Sequence, residues 1–216
     1  MAILKVAQMG HPILRSVADR VDPSQIQTPE FQQLCDDMFD TMLEYDGAGL
    51  AAPQVHAPLR VVLCALTDDR EPEFFVNPII TRLTEETIRT FEGCLSVDGM
   101  RAAVDRCAHV HIQAMDREGN PKGYELTGFP AVVVQHECDH LDGILYIDRC
   151  DTRTLSFVRE YRRYGGMFEA EEEDADGLGD PIHLEDDTEE ERVTVEIDLA
   201  HTDDIDDRAR VPSSDK

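Results

Sequence analysis

The stretch Gln135-His136-Glu137-Cys138-Asp139-His140 decides how the rest of this chain is read. Two imidazoles four residues apart lie on one face of a helix, one turn from each other. That spacing can grip one divalent metal ion through both rings, and the carboxylate between them sits close enough to exchange protons with water. A bare H-E-x-x-H also arises by chance, as two surface histidines beside a solvated acid. The surroundings argue for the metal. Ala131-Val132-Val133-Val134 runs directly into the motif, and Leu141, Ile144 and Leu145 follow it. The histidines therefore sit in an apolar setting, where an imidazole needs a hydrogen-bond partner or a metal. The valine run alone reads as a strand. A buried helix is expected all the same, because positions i and i+4 meet only on a helix. Thr127 is its expected N-cap, Pro130 falls in its first turn, and Gly143 is a natural stop.

A catalytic metal needs a third protein ligand. Zincin proteases take it downstream, but this chain has no H-E-x-x-H-x-x-G-x-x-H continuation. A better candidate lies upstream, in Phe91-Glu92-Gly93-Cys94-Leu95-Ser96. A thiolate from Cys94 with two imidazoles leaves one tetrahedral position open. The alternative for Cys94 is a buried small hydrophobe. Gly93 allows close backbone approach, and backbone N–H groups beside a metal can serve as oxyanion donors. A third segment, Gly47-Ala48-Gly49-Leu50-Ala51-Ala52-Pro53-Gln54, is small and apolar with one amide at its end. By itself it reads as a tight loop with a solvated Gln. No Lys or Ser/Thr follows at the spacing of a phosphate-binding loop.

Together these segments resemble the peptide deformylase family, whose motifs are GxGLAAPQ, EGCLS and QHExDHLxG. The chain carries GAGLAAPQ at Gly47 to Gln54, EGCLS at Glu92 to Ser96 and QHECDHLDG at Gln135 to Gly143, in the family's order and spacing. The resemblance runs from about His11 to near Tyr164. Two departures are visible: Ala48 where the family often has Val or Ile, and Asp98 where Pro usually follows CLSV. Neither touches a ligand, and Ala48 widens the pocket slightly. The resemblance implies hydrolysis of the N-formyl group from the initiating methionine of nascent chains, releasing formate. It implies one divalent ion on Cys94, His136 and His140, Fe(II) in the cell, with zinc, nickel or cobalt compatible with the same ligands. Glu137 would shuttle the proton, while the Gln54 amide and the Leu95 N–H would stabilise the oxyanion. Ala48, Phe129, Val132, Val133 and the His136 ring would line the methionine pocket, and Gly49 would orient the substrate. Glu92 with Arg101 would support the ligands from behind. A C-terminal helix, here carrying Arg153, Arg159, Arg162 and Arg163, would make transient ribosome contact. Charge on a helix is also simply a solvated face. Three other readings remain: a generic metallopeptidase, a degenerate scaffold protein working through its acidic end, and a specialised deformylase acting on a formylated metabolite or peptide. The missing downstream ligand and the Gly47 to Gln54 segment oppose the first. The intact ligand set with Glu137 opposes the second.

Composition bounds the rest. The apolar fraction of 41% is enough for a core. No signal peptide is read at Met1 to Lys5, and no apolar run approaches the roughly 20 residues of a membrane span. Cys35, Cys64, Cys94, Cys107, Cys138 and Cys150 show no disulfide-framework spacing, which points to a reducing cytoplasm. Nothing indicates sequence-specific nucleic-acid binding. The net charge of −26 is uneven: from Gly165 onward 20 acidic residues face 4 basic ones, a net of −16. Such a composition buries too little apolar surface to order itself. The chain is therefore expected to comprise a catalytic domain over 1–164 and an acidic, disordered extension over 165–216. Within the extension, Arg192 to Leu199 alternates like a strand.

The fold expected is α+β, with antiparallel strands wrapped around a central H-E-x-x-H helix and a further helix at each end. Thr28-Pro29 opens the first helix, whose apolar stripe is Phe31, Leu34, Cys35, Met38, Phe39 and Met42. Strands are expected at Arg60 to Leu66, Phe74 to Leu83, Thr87 to Leu95 and Val110 to Met115. Asp116 to Asn120 should turn the last into a hairpin with Lys122 to Leu126. A final helix is expected from Asp151 or Thr152, with Leu155, Val158 and Tyr161 on one face.

Overall fold

The computed structural model of the chain describes residues 2–66 and 71–165. Residues 166–216 lie outside that description, and with them the acidic run and the alternating segment at 192–199.

Helix α1 (Pro23–Ile26) is a single turn. Helix α2 (Pro29–Glu44) begins where the sequence places it, with the Thr28 hydroxyl accepting from the Phe31 N–H at 3.3 Å. Its buried stripe is Phe31, Cys35, Met38 and Met42, at the spacing of one helical face. Among the described residues eight strands follow: β1 (Gly49–Ala51), β2 (Val61–Cys64), β3 (Glu73–Arg82), β4 (Thr87–Cys94), β5 (Val97–Cys107), β6 (His109–Met115), β7 (Pro121–Thr127) and β8 (Ser156–Phe157). They form two antiparallel sheets, one ordered β1-β2-β3-β6-β7 and one ordered β4-β5-β8. Helix α3 (Gly128–Leu141) carries the H-E-x-x-H motif and packs against β1, β2, β5, β6 and β7. Nine of its fourteen residues are buried. That burial on nearly every side explains the valine run: tertiary packing outweighs a strand preference worth at most about 1 kcal/mol per residue. The helix ends at Gly143 with φ +72°, where a Cβ would sit 2.8 Å from the Arg15 carbonyl carbon. Only glycine lets the N-terminal segment cross there. The architecture is α+β, as the sequence indicates.

Strands β1 and β8 were not expected, since Gly47 to Gln54 reads as a tight loop and 156–157 falls in the expected final helix, and two further elements depart from the sequence reading. Strand β5 was not anticipated, because Asp98, Arg101, Asp105 and Arg106 break its apolar alternation. It forms because Ala102, Val104 and the buried Arg106 still share one face. The final helix, α4 (Val158–Tyr164), starts later than expected. Asp151 instead caps a short 3-10 turn over Thr152–Thr154. The Asp151 N–H donates to the Ala103 carbonyl at 2.9 Å, and the Thr154 hydroxyl accepts from the Ala103 N–H at 2.8 Å. Those bonds hold the segment extended, so Phe157 and Ser156 pair with Met100 and Arg101 of β5 before the chain can coil.

Candidate metal centre

His136 and His140 project from one face of α3 with ring centroids 5.1 Å apart. Cys94 meets them from the end of β4, where the pairing with β5 slips between Gly93 and Cys94. Such an irregularity re-aims a side chain, and here it brings the Cys94 Sγ to 3.3 Å from the His140 Nε2. The candidate ligand atoms of Cys94, His136 and His140 all lie within 4.8 Å of one another. Both histidines are buried and the cysteine is half-buried. Thiolate plus two imidazoles suits one divalent transition ion. Burial, reinforced by the charges of His136 and Arg106, drives the His140 pKa well below its ordinary value. That ring is therefore held neutral, the form that can ligate.

The histidines are aimed from behind. The His136 Nδ1 lies 2.8 Å from the Glu92 Oε2. Burial opposes ionisation of Glu92, but the bonds from Arg106 and His136 hold its pKa down to about 2. A carboxylate can only accept, so the Nδ1 donates, and the Nε2 is the atom a metal would take, displacing the proton it carries. Arg106 donates to both Glu92 oxygens, at 2.7 and 2.9 Å, and to Asp139 at 2.5 Å. Asp139 also receives Arg149 at 2.7 Å on each oxygen. The sequence reading put Arg101 beside Glu92. The structure puts Arg106 there, while Arg101 donates to the Phe91 carbonyl at 3.0 Å and lies 4.6 Å over the Tyr161 ring. The available signal was the period-two position of Arg106, in line with Ala102 and Val104. Replacing Arg106 by Leu should leave buried Glu92 with His136 alone and Asp139 with Arg149 alone, lowering stability by about 3–5 kcal/mol and metal affinity by roughly 10–100-fold. Thermal melts and metal titration of the purified variant check both; a melt like that of wild type would sink the prediction.

A cavity of about 420 Å³ opens beside this cluster. Its walls include Ala48, Gly49, Phe129, Val132 and Val133, together with Gln54, Leu95, Glu137, His136 and Arg101. Glu137 is buried, and burial raises its pKa to about 7. Its Oε2 has no hydrogen-bond partner. Gln54 sits in a short turn over Ala52–Val55, its Oε1 accepting from the Ala51 N–H at 2.7 Å. That bond turns its Nε2 toward Ser96 Oγ, at 3.3 Å, and Cys94 Sγ, at 3.5 Å. At Gly49 a Cβ would lie 2.6 Å from the Glu137 Oε1. Gly49→Ala should therefore displace the carboxylate and depress turnover at least tenfold with metal content kept. Unchanged turnover would show that Glu137 can move aside without cost.

Known proteins place the chain. The family model for polypeptide deformylase matches residues 3–155. The peptide deformylase of Pseudomonas aeruginosa is 44% identical over 161 residues, covering 74% of this chain and 94% of that protein. The chain belongs to the polypeptide deformylase family. Solved deformylase structures agree in fold. A Met-Ala-Ser-bound crystal structure of the class I type b enzyme from Acinetobacter baumannii superposes with a TM-score of 0.66 at 36% identity, covering 68% of this chain and 98% of that one. The Thermotoga maritima deformylase gives 0.66 at 32% identity, covering 70% and 99%. All three sequence motifs that carry the deformylase resemblance converge on this cavity.

Proposed function

We propose that the protein removes the formyl group from N-formyl-methionyl peptides, releasing formate and a free N-terminal methionine. The observation that carries this reading is the convergence of Cys94, His136, Glu137 and Gln54 on one apolar-walled cavity, with His140 beside Cys94 and His136, in a chain of the deformylase family. A divalent ion on Cys94, His136 and His140 supplies Lewis acidity and an activated water. Glu137 takes the proton from the attacking water and delivers it to the leaving amine. A pKa near neutrality suits both halves of that task. The Gln54 Nε2 and the Leu95 N–H donate to the developing oxyanion. The methionine side chain enters between Ala48, Phe129, Val132 and Val133, and Gly49 lies against the peptide backbone. The Met-Ala-Ser bound to the Acinetobacter relative supports a methionine-first product. Fe(II) is the proposed ion in the cell, a choice that rests on the family resemblance, since zinc, nickel and cobalt fit the same three ligands. Formate release from formyl-Met-Ala-Ser by the metal-loaded protein tests the reading. A protein that binds metal yet releases no formate would refute it.

No described helix is long and apolar enough to cross a membrane. A catalytic domain over 1–164 working in the cytoplasm on chains emerging from the ribosome fits this function. The outward face of α4 supports ribosome contact: Arg159, Arg162 and Arg163 are exposed, as is Arg153 just before it. The segment with a net charge of −16 is joined directly to that helix. Tethering holds it near the arginines at an effective concentration on the order of millimolar for short linkers. It should compete with RNA phosphates for them. Truncation after Gly166 is expected to tighten ribosome binding at low salt, with the gap closing as salt screens the charges. Turnover of formyl-Met-Ala-Ser should stay the same, since every candidate site residue lies before that segment. Equal ribosome affinity with and without the segment would rule out this competition.

A further inference from the structure

Thr90 lines the same cavity as Val132, Val133 and His136, and the reaction described above leaves it without a role. It lies on β4 two residues before Glu92, with Val104 and Ala102 as their respective partners on β5. Its side chain therefore leaves the strand on the Glu92 face, about 7 Å farther from Cys94. Glu92 itself is engaged by Arg106 and His136. The Thr90 Oγ1 is buried and has no hydrogen-bond partner. A hydroxyl kept from water without a partner is destabilising, and native proteins match nearly all such groups with a protein, water or ligand atom. Valine has the same shape without that penalty, so a pocket serving hydrocarbon alone would be better built with it. Rotation between staggered χ1 wells exchanges the positions of hydroxyl and methyl at this cavity wall.

We propose that Thr90 reads the far end of the substrate's first side chain by donating a hydrogen bond to an acceptor there, and that the pocket consequently takes formyl-methionine sulfoxide peptides as well as formyl-methionine ones. This rests on the deformylase reading. The thioether sulfur of methionine is a weak acceptor at that position. The sulfoxide oxygen is a strong one on a chain of the same length. Norleucine has the length and no acceptor. The three side chains thus form a series graded by what Thr90 can hold, with apolar contact nearly constant.

The test measures kcat/KM for formate release from formyl-Met-Ala-Ser, its methionine sulfoxide counterpart and its norleucine counterpart. Wild type is compared with Thr90→Val and Thr90→Ser. Wild type should turn over the sulfoxide peptide, and Thr90→Val should lower the sulfoxide-to-norleucine ratio by roughly three- to tenfold. Thr90→Ser, which keeps the hydroxyl, should hold the wild-type ratio. If Thr90→Val does not fold, Thr90→Ala against Thr90→Ser reads the same ratio. An unchanged ratio on loss of the hydroxyl overturns the proposal. So does a wild type that cleaves the methionine peptide and not the sulfoxide. Failure of wild type on all three peptides would instead overturn the deformylase reading, and this proposal with it.

Discussion

Glu137→Gln is expected to cut turnover of formyl-Met-Ala-Ser by roughly 10²–10⁴-fold while leaving metal stoichiometry at the wild-type level. The substitution is nearly isosteric. It removes the group that can accept and return a proton, and it touches none of Cys94, His136 and His140. The Glu137 Oε2 has no partner to lose, so no structural bond is broken and the packing against Gly49 is retained. Formate release and metal content, measured on the same preparation, check the prediction. Turnover within a few-fold of wild type would remove Glu137 from proton transfer and leave water activation to the metal alone.

The second large effect separates two cysteines. Cys94→Ala should lose most of the metal on gel filtration and with it all measurable deformylation, because one of three ligands is gone. The same change also removes the acceptor of the Ser96 N–H, at 3.4 Å, and a contact of the Gln54 amide. Cys138→Ala should leave both properties close to wild type. Cys138 lies two residues beyond His136, on another face of α3, and burial pushes its thiol well above the ordinary range. It behaves as packing. Metal analysis of the two variants side by side decides the matter, and metal loss from Cys138→Ala with retention by Cys94→Ala would mean that the cluster has been assigned to the wrong thiol.

Helix α2, most strands and α3 were legible in the sequence because their signals are local: a Thr-Pro start, a stripe at 3.6-residue spacing, a fixed gap between histidines. The valine run of α3 was legible only through chemistry, since the histidines required a helix that propensity denied. The candidate site was legible as a resemblance, because three short motifs each hold several residues that the structure gathers at one cavity. What escaped was non-local. Arg106 looks like any surface arginine until β4 pairs with β5 to bring Glu92 and α3 packs against them to bring Asp139. Strand β5 was hidden for the same reason, its buried charge imitating a polar loop. The late start of α4 depends on bonds from Asp151 and Thr154 to Ala103, 48 and 51 residues earlier in the chain, which no local pattern announces.

The slip in pairing that aims Cys94 has a mechanical consequence. Two of the candidate ligands, His136 and His140, are fixed relative to each other as soon as one turn of helix forms. The third arrives from a different sheet, 46 residues before His140. An ion held by all three is thus a cross-link, closing a loop for which chain statistics assign on the order of 4 kcal/mol of lost unfolded-state entropy. Stripping the ion should release the β4–β5 hairpin from the helix before it disturbs the helix itself. Amide exchange should then quicken at Phe91 to Met100 while Val132 to Val134 stay protected. Uniform quickening across both would show that hairpin and helix open as one unit, joined by the Glu92–His136 and Arg106–Asp139 bonds whether or not the ion is present.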